Sequence, residues 1–121
     1  MKLHILINKG KLAMIDNDFI ELDANQVKRI QDDFEALKRL LENQDFKRLF
    51  TEGFFRDEVA RATGLLADPN FTQDPSRVTW IHDQLKASAF TQAYLRSITS
   101  QYQMLVRSKQ EQDELDQEEA E

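Results

Sequence analysis

Side chains that could carry chemistry are few in this sequence of 121 residues, which contains no cysteine and two histidines. Neither His4 nor His82 has a partner at a spacing typical of a metal site or of an acid–base pair. Asp83 follows His82, but adjacent residues of a helix point about 100° apart. We therefore expect neither histidine to bind a metal ion or to act in catalysis.

The acidic segment Asp16–Asp18 has the composition of a cation-binding loop but lacks its pattern. An EF-hand loop that started at Asp16 would need an oxygen ligand at its fifth position, glycine at the sixth and glutamate at the twelfth. Those positions hold Ile20, Glu21 and Lys28. The segment is predicted to be a turn, and we expect no metal ion or other cofactor.

The glycines and hydroxyl residues form no catalytic or phosphate-binding motif. Gly10, Gly53 and Gly64 are isolated from one another, whereas phosphate-binding loops need several glycines close together. The sequence contains no Gly-x-Ser-x-Gly motif, and no Ser or Thr has a visible set of His and Asp companions. We expect a protein that is not an enzyme and has no catalytic residues.

Basic residues recur as doublets, at spacings of ten and nine residues: Lys28-Arg29, Lys38-Arg39 and Lys47-Arg48. On a helix, a spacing of ten residues stops about 80° short of whole turns, so the doublets do not form one stripe. Acidic residues such as Asp32, Asp33 and Glu35 lie between them. Because nucleic-acid binding requires a net basic patch, we do not expect a nucleic-acid partner.

The net charge of −6 belongs to the end of the chain. Residues 111–121 hold seven of the 22 acidic residues and no Lys or Arg, which leaves 15 acidic against 16 basic residues elsewhere. No apolar run approaches the ~20 residues of a membrane span, and the first residues lack the pattern of a secretion signal. The sequence predicts a nearly neutral body with an acidic tail, and no membrane partner.

Short strands are predicted near the N-terminus. Alternating apolar residues from Leu3 to Ile7 favour a first strand, and Gly10 lies in a turn that leads to a second strand at residues 12–15. After the turn at Asp16–Asp18, residues 19–22 favour a third strand. A β-hairpin or meander of this size must pack on other elements.

Helices are predicted from residue 23 onward. Asp23 and Gln26 fit a helix start. This helix is predicted to end at Asn43, and it carries an apolar stripe: Val27, Ile30, Phe34, Leu37 and Leu41. A short helix at 46–50, a break at Gly53 and a helix through Leu66 follow. Asp74 and Pro75 then begin a long helix to about Arg107, with a predicted stripe of Phe90, Tyr94, Ile98, Tyr102 and Leu105. The acidic tail is either a solvated helical extension or a disordered tail, and because its acidic residues have no basic partners we expect it to fray.

The predicted fold class is mainly α (α+β): about four helices, a small N-terminal β-hairpin or meander and a long C-terminal helix. Three segments are predicted: a β element at 1–22, a helical body at 23–110 and the acidic tail at 111–121. Four phenylalanines, Phe46, Phe50, Phe54 and Phe55, fall within ten residues. They are interpreted as core, with an anchor patch for a partner as the alternative.

The stretch from Asn43 to Arg61, with Leu65–Asn70 after it, resembles small acidic helical proteins of tailed bacteriophages. Those proteins share a pattern like N-x-D-F-x-x-x-x-x-x-G-[YF]-F-x-x-E, a D-P-x loop, a helix rich in aromatics and alanine, and a Glu-rich end. Phe90–Leu95 and Glu111–Glu121 occupy the last two places, so the resemblance covers about residues 43–121. It implies a phage-encoded protein of the head or virion-assembly set, with no catalytic residues to carry over.

The function expected from these observations is a non-enzymatic phage protein that acts through protein–protein contacts, as a scaffold, core or connector accessory. Its partner is a phage structural protein or a second copy of itself, in the cytoplasm of the infected host or in the virion. The alternative is a phage accessory protein that binds and inhibits a host protein, with the acidic tail as its contact. The residues expected to contact the partner are Phe54, Phe55, Arg56 and Trp80.

Overall fold

A computed structural model describes residues 3–6 and 19–120, and it corrects the predicted fold class. The stretch 23–120 is almost entirely helical, with four helices and no strand, so the α+β assignment is wrong. Strands occur only before it, where β1 (Leu3–Leu6) pairs antiparallel with β2 (Phe19–Leu22). Two four-residue strands are too small to form a layer of a fold. The predicted turn at Gly10 and the predicted strand at 12–15 lie outside the described residues.

Four helices make up the described stretch after β2. Helix α1 is Ala24–Glu42, α2 covers residues 44–66, α3 is the single turn Pro69–Thr72, and α4 is Pro75–Ala120. None of these described helices is long and apolar enough to span a membrane.

The helix starts follow local sequence signals. At α1, the Asp23 side chain accepts from the Gln26 backbone N–H at 2.8 Å, and the Gln26 side chain accepts from the Asp23 N–H at 2.9 Å. This reciprocal capping box confirms the predicted start. Asn43 caps α2 by accepting from the Phe46 N–H at 2.9 Å, and Asp74 caps α4 by accepting from the Ser76 N–H at 2.9 Å.

Gly53 does not break the chain as predicted, because α2 runs through it as a π-helix. The π segment is Lys47–Asp57, between the α-helical pieces Gln44–Phe46 and Glu58–Leu66. The Glu58 N–H donates to the Gly53 carbonyl, five residues back, and the Gly53 Cα lies so close to Arg48 that an added Cβ would be 3.0 Å from the Arg48 carbonyl oxygen. Glycine here permits a close backbone approach inside a helix.

The chain divides into two compact units. The terminal unit consists of the described residues up to Ala36 together with the chain from Ser97 on. Leu22 and Leu105 are buried in it, and Val27, Ile30 and Met104 pack against them. The rings of Phe34 and Tyr102 stack face to face, with centroids 3.8 Å apart and planes 5° from parallel. The core of this unit is therefore formed by β2, α1 and α4.

The central unit is Leu37–Arg96, and in it the buried side of α4 differs from the predicted stripe. Ile81 and Ser88 are almost fully buried, whereas Phe90 and Tyr94 are exposed. Buried and half-buried positions alternate by three and four residues, which keeps them on one side of a helix: Val78, Ile81, Leu85, Ser88, Gln92 and Leu95. The predicted stripe advances by four residues three times in succession. Each of these steps overshoots a full helical turn by about 40°, so the stripe drifts around the helix and does not stay on one side.

The acidic end of the chain is helical in the structure, and the prediction that it frays is not supported. Helix α4 continues to Ala120, with every residue from 111 to 120 exposed. Glutamate and glutamine are good helix formers, and extending an existing helix needs no new nucleus. The acidic arm, defined as residues 111–120, is therefore a solvated continuation of α4.

Candidate protein-contact surface

Four phenylalanine rings form a continuous cluster along α2, called here the phenylalanine cluster: Phe46, Phe50, Phe54 and Phe55. Phe50 is its centre: it stacks on Phe46 at 5.0 Å between centroids and meets Phe54 and Phe55 edge-on at 6.2 and 6.1 Å. Offset and edge-to-face pairs at such distances are favourable. None of the four rings is fully buried, and Phe50 is exposed. The cluster is thus a partly exposed aromatic surface and not the closed core that was predicted.

The π segment explains why two consecutive phenylalanines share one neighbour. Phe54 and Phe55 are consecutive, so on an α-helix their rings would point in different directions and one would be left for a partner. A π-helical turn takes in one more residue than an α-helical turn, so residues four and five apart lie on similar sides. Both rings therefore reach Phe50, and they lie 5.6 Å from each other.

Arg56, the third predicted contact residue, is exposed next to the phenylalanine cluster and pairs with its neighbour. Its Nε donates to an Asp57 carboxylate oxygen at 3.0 Å. This hydrogen bond, and then the charge of Asp57, raise the pKa of Arg56 above its ordinary value. Because both side chains are exposed, the pair contributes little to stability, and a partner carboxylate can compete for the guanidinium.

A small cavity lies between α2 and α4 in the central unit. Its volume is about 90 Å³, and its walls include Phe54, Ala62, Ile81 and Ser88. The buried Ser88 hydroxyl donates to the Phe54 carbonyl at 3.5 Å and accepts from the Gln92 amide at 3.2 Å. Small-molecule sites usually have roughly 300–1,000 Å³, so this cavity is a packing gap around a buried hydroxyl group.

The rim of the cavity carries an ion pair, and α4 carries a histidine. At the rim of the cavity, Arg61 donates to Glu58 at 2.8 Å, and this bond together with the arginine charge lowers the pKa of Glu58. His82 is exposed on α4, while the side chain of His4 lies outside the described part of the structure. Within residues 3–6 and 19–120, no group of three or more His, Cys, Asp or Glu side chains is placed to hold a metal ion.

The largest exposed rings of the central unit lie on α4. Trp80 is 52% exposed, Phe90 is 73% exposed and Tyr94 is 65% exposed. Taken with Asp83 and Ala87, which are also exposed, they are spaced three, four, three and four residues apart. We call these five residues the outer face of α4. At about 100° per residue, it points about 150° away from the buried side of the same helix.

The four predicted contact residues thus divide between two surfaces. Phe54, Phe55 and Arg56 lie in or beside the phenylalanine cluster, and Trp80 lies on the outer face of α4. Sequence reasoning missed Phe90 and Tyr94 as contact residues and placed them on the predicted stripe of α4. Phe90 and Tyr94 follow Trp80 by ten and fourteen residues, which places the three rings within about 80° of one another around a helix, and this grouping was the available signal.

Comparison of the chain with known proteins finds no matching family model, no matching curated protein and no matching solved structure. The resemblance to small phage proteins therefore stays a prediction that depends on the motif in residues 43–70.

Proposed function

We propose that this chain acts through protein–protein contacts, as a structural or assembly protein of a tailed bacteriophage. The observation that carries the contact role is the distribution of apolar side chains. Among the described residues, five hydrophobic side chains are buried, while eight large ones are at least 40% exposed. Seven of those eight belong to the central unit, and a concentration of exposed apolar surface is typical of interaction sites.

The phage assignment rests on the sequence motif. It determines which class of protein is proposed as the partner. In this role the partner is another protein of the virion or prohead, or a second copy of the chain. The central unit offers two surfaces for such contacts, the phenylalanine cluster and the outer face of α4. Trp, Tyr and Arg contribute more binding energy than other residue types in protein interfaces. Arg56 lies beside the phenylalanine cluster, and Trp80 and Tyr94 belong to the outer face of α4.

The test is quantitative mass spectrometry of purified proheads and virions from the phage that encodes the chain. We expect the chain in one or both particles, and expect Trp80→Ala to reduce its copy number. Leu115→Ala is the matched control, since Leu115 is 60% exposed but lies on the acidic arm. Absence from both particles would refute the assembly role, and equal copy numbers for both variants would refute the role of Trp80.

A second candidate function, inhibition of a host protein, is favoured by one observation. The acidic arm presents Glu111, Asp113, Glu114, Asp116, Glu118 and Glu119 on an exposed helix. A helix of this charge can occupy a basic surface of another protein. Affinity capture from infected cells tests this role: it predicts a host protein that is retained by the full chain and lost when residues 111–121 are deleted. Retention of the same proteins by both forms would exclude it.

A further inference from the structure

The outer face of α4 has the spacing of a helix–helix contact. The buried side of α4 already packs inside the central unit, and the outer face repeats the same alternation of three and four residues on the opposite side. Such alternation keeps side chains in register along a second helix over several turns. A chain whose helix carries two such faces can use one to fold and the other to bind.

We propose that the outer face of α4 binds the outer face of a second copy of this chain, with the two helices antiparallel. The proposal rests on the proposed function, because it names the partner of one contact surface. Three properties of the outer face favour a second copy as its partner: its symmetry, its charges and its exposed area.

Symmetry comes from the order of side chains along α4. In an antiparallel pair with a two-fold axis, residues equally far before and after the axis lie opposite each other. Trp80 and Phe90 have their midpoint at residue 85, so an axis there places each tryptophan against the phenylalanine of the other copy. Ala87 lies between the two rings, and its small side chain lets the helices approach closely.

Charge complementarity selects the same axis. Asp83 and Lys86 are exposed on the outer face and on its rim, and their midpoint falls between residues 84 and 85. An axis near residue 85 therefore places Asp83 of each copy opposite Lys86 of the other. Neither side chain forms an ion pair within the described part of the chain, so both are available for this contact. A parallel pair would instead place Asp83 against Asp83.

The exposed area suits a reversible dimer. A large aromatic side chain has about 150–250 Å² to bury, so the exposed fractions of Trp80, Phe90 and Tyr94 amount to about 400 Å² per copy. A stable interface usually buries about 800 Å² per partner. The three rings supply about half of this, and Ala87, Asp83 and the stem of Lys86 lie beside them. An interface of this size is typical of weak, reversible association, so we expect monomer and dimer to coexist.

Sedimentation equilibrium of the full chain, from low micromolar to submillimolar concentration, tests the proposal. The wild-type protein is expected to be a reversible dimer, and Trp80→Ala or Phe90→Ala is expected to weaken it at least about tenfold, because each change removes two ring contacts per dimer. Leu49→Ala is the matched control: Leu49 is 64% exposed in the same unit, but it lies on α2. Circular dichroism checks that each variant is folded.

Charge reversal tests the antiparallel arrangement. Asp83→Lys or Lys86→Asp alone places like charges opposite each other twice per dimer, which should weaken association about tenfold. The double variant Asp83→Lys with Lys86→Asp restores opposite charges and should restore association. Weakening by both single changes without restoration by the double change would overturn the antiparallel pairing.

Two results separate this proposal from the proposed function. A wild-type chain that stays monomeric, or a dimer that Leu49→Ala weakens as much as Trp80→Ala, would overturn the self-association proposal. If Trp80→Ala nevertheless lowers the copy number in virions, the assembly role stands and its partner is another protein. Conversely, a dimer that obeys the charge reversal but is absent from virions and proheads would support self-association and refute the assembly role.

Discussion

Two glycines of α2 provide a direct test of the π segment that aligns the phenylalanine cluster. Gly64 lies in the α-helical part, where an added Cβ would have no neighbour within 4 Å. Gly53 lies in the π-helical part, where an added Cβ would be 3.0 Å from the Arg48 carbonyl oxygen. Replacement of glycine by alanine is the same chemical change at both sites. Any difference in stability between the two variants therefore reports the local backbone.

The expected magnitudes follow from these surroundings. Gly64→Ala should raise the free energy of unfolding by about 1 kcal/mol, since glycine is that much less favourable than alanine inside a helix. At Gly53 the new Cβ would be 0.4 Å closer than the 3.4 Å at which ordinary contact begins, and the atom that it meets belongs to the backbone. Overpacking of this kind costs about 1–3 kcal/mol, which cancels or reverses the gain from alanine.

Thermal or urea unfolding followed by circular dichroism measures the difference. Gly53→Ala should be at least about 1 kcal/mol less stable than Gly64→Ala, which corresponds to about 4–8 °C in melting temperature for a small domain. If alanine stabilised the chain equally at both positions, Gly53 would lie in an ordinary α-helix. The alignment of Phe54 and Phe55 toward Phe50 would then need another explanation.

Three further predictions concern the helix cap, pH and the acidic arm. Asn43→Ala removes the side-chain acceptor for the Phe46 N–H and should lower the free energy of unfolding by about 1 kcal/mol in a urea titration. Asn43→Asp keeps an acceptor and should lower it less. Acid should destabilise the fold slightly, because hydrogen bonds lower the pKa of Glu58 and of Asp74, which are both exposed carboxylates. The stability that they contribute is present at neutral pH and is lost as pH falls through their lowered folded-state pKa values. Unfolding measured between pH 7 and 2 should show this loss, and Asp74→Asn should reduce its size; an unchanged pH profile in that variant would exclude a role for Asp74. Deleting residues 111–121 should leave the melting temperature nearly unchanged, because residues 111–120 are all exposed, and a large decrease would mean that the arm packs against the fold.

Local sequence signals predicted the helix starts well, because their physics is contained in a few residues. The capping pair Asp23 and Gln26, and the Asp74-Pro75 start of the long helix, needed no knowledge of the rest of the chain. The break predicted at Gly53 was wrong for the opposite reason. Glycine can end a helix or allow a close backbone approach inside one, and only the surrounding turns decide which occurs.

Burial was harder to predict than helix position, because it depends on the packing partners of each helix. Phe90 and Tyr94 were predicted from their spacing to share one stripe of α4, and no prediction covered Ser88. The structure buries Ser88, whose hydroxyl is satisfied by Phe54 and Gln92, and exposes both rings. Trp80 was the one predicted contact residue on the face that those rings share.

Photo-crosslinking in cells that produce the chain tests the contact role of the outer face of α4 most directly. The photoreactive residue p-benzoylphenylalanine replaces Trp80 in one variant and Leu115 in the control, which is similarly exposed on the acidic arm. We expect position 80 to form a discrete adduct with a protein, which mass spectrometry then identifies as a second copy of the chain or as another protein. No adduct at position 80, or the same adducts at both positions, would contradict it.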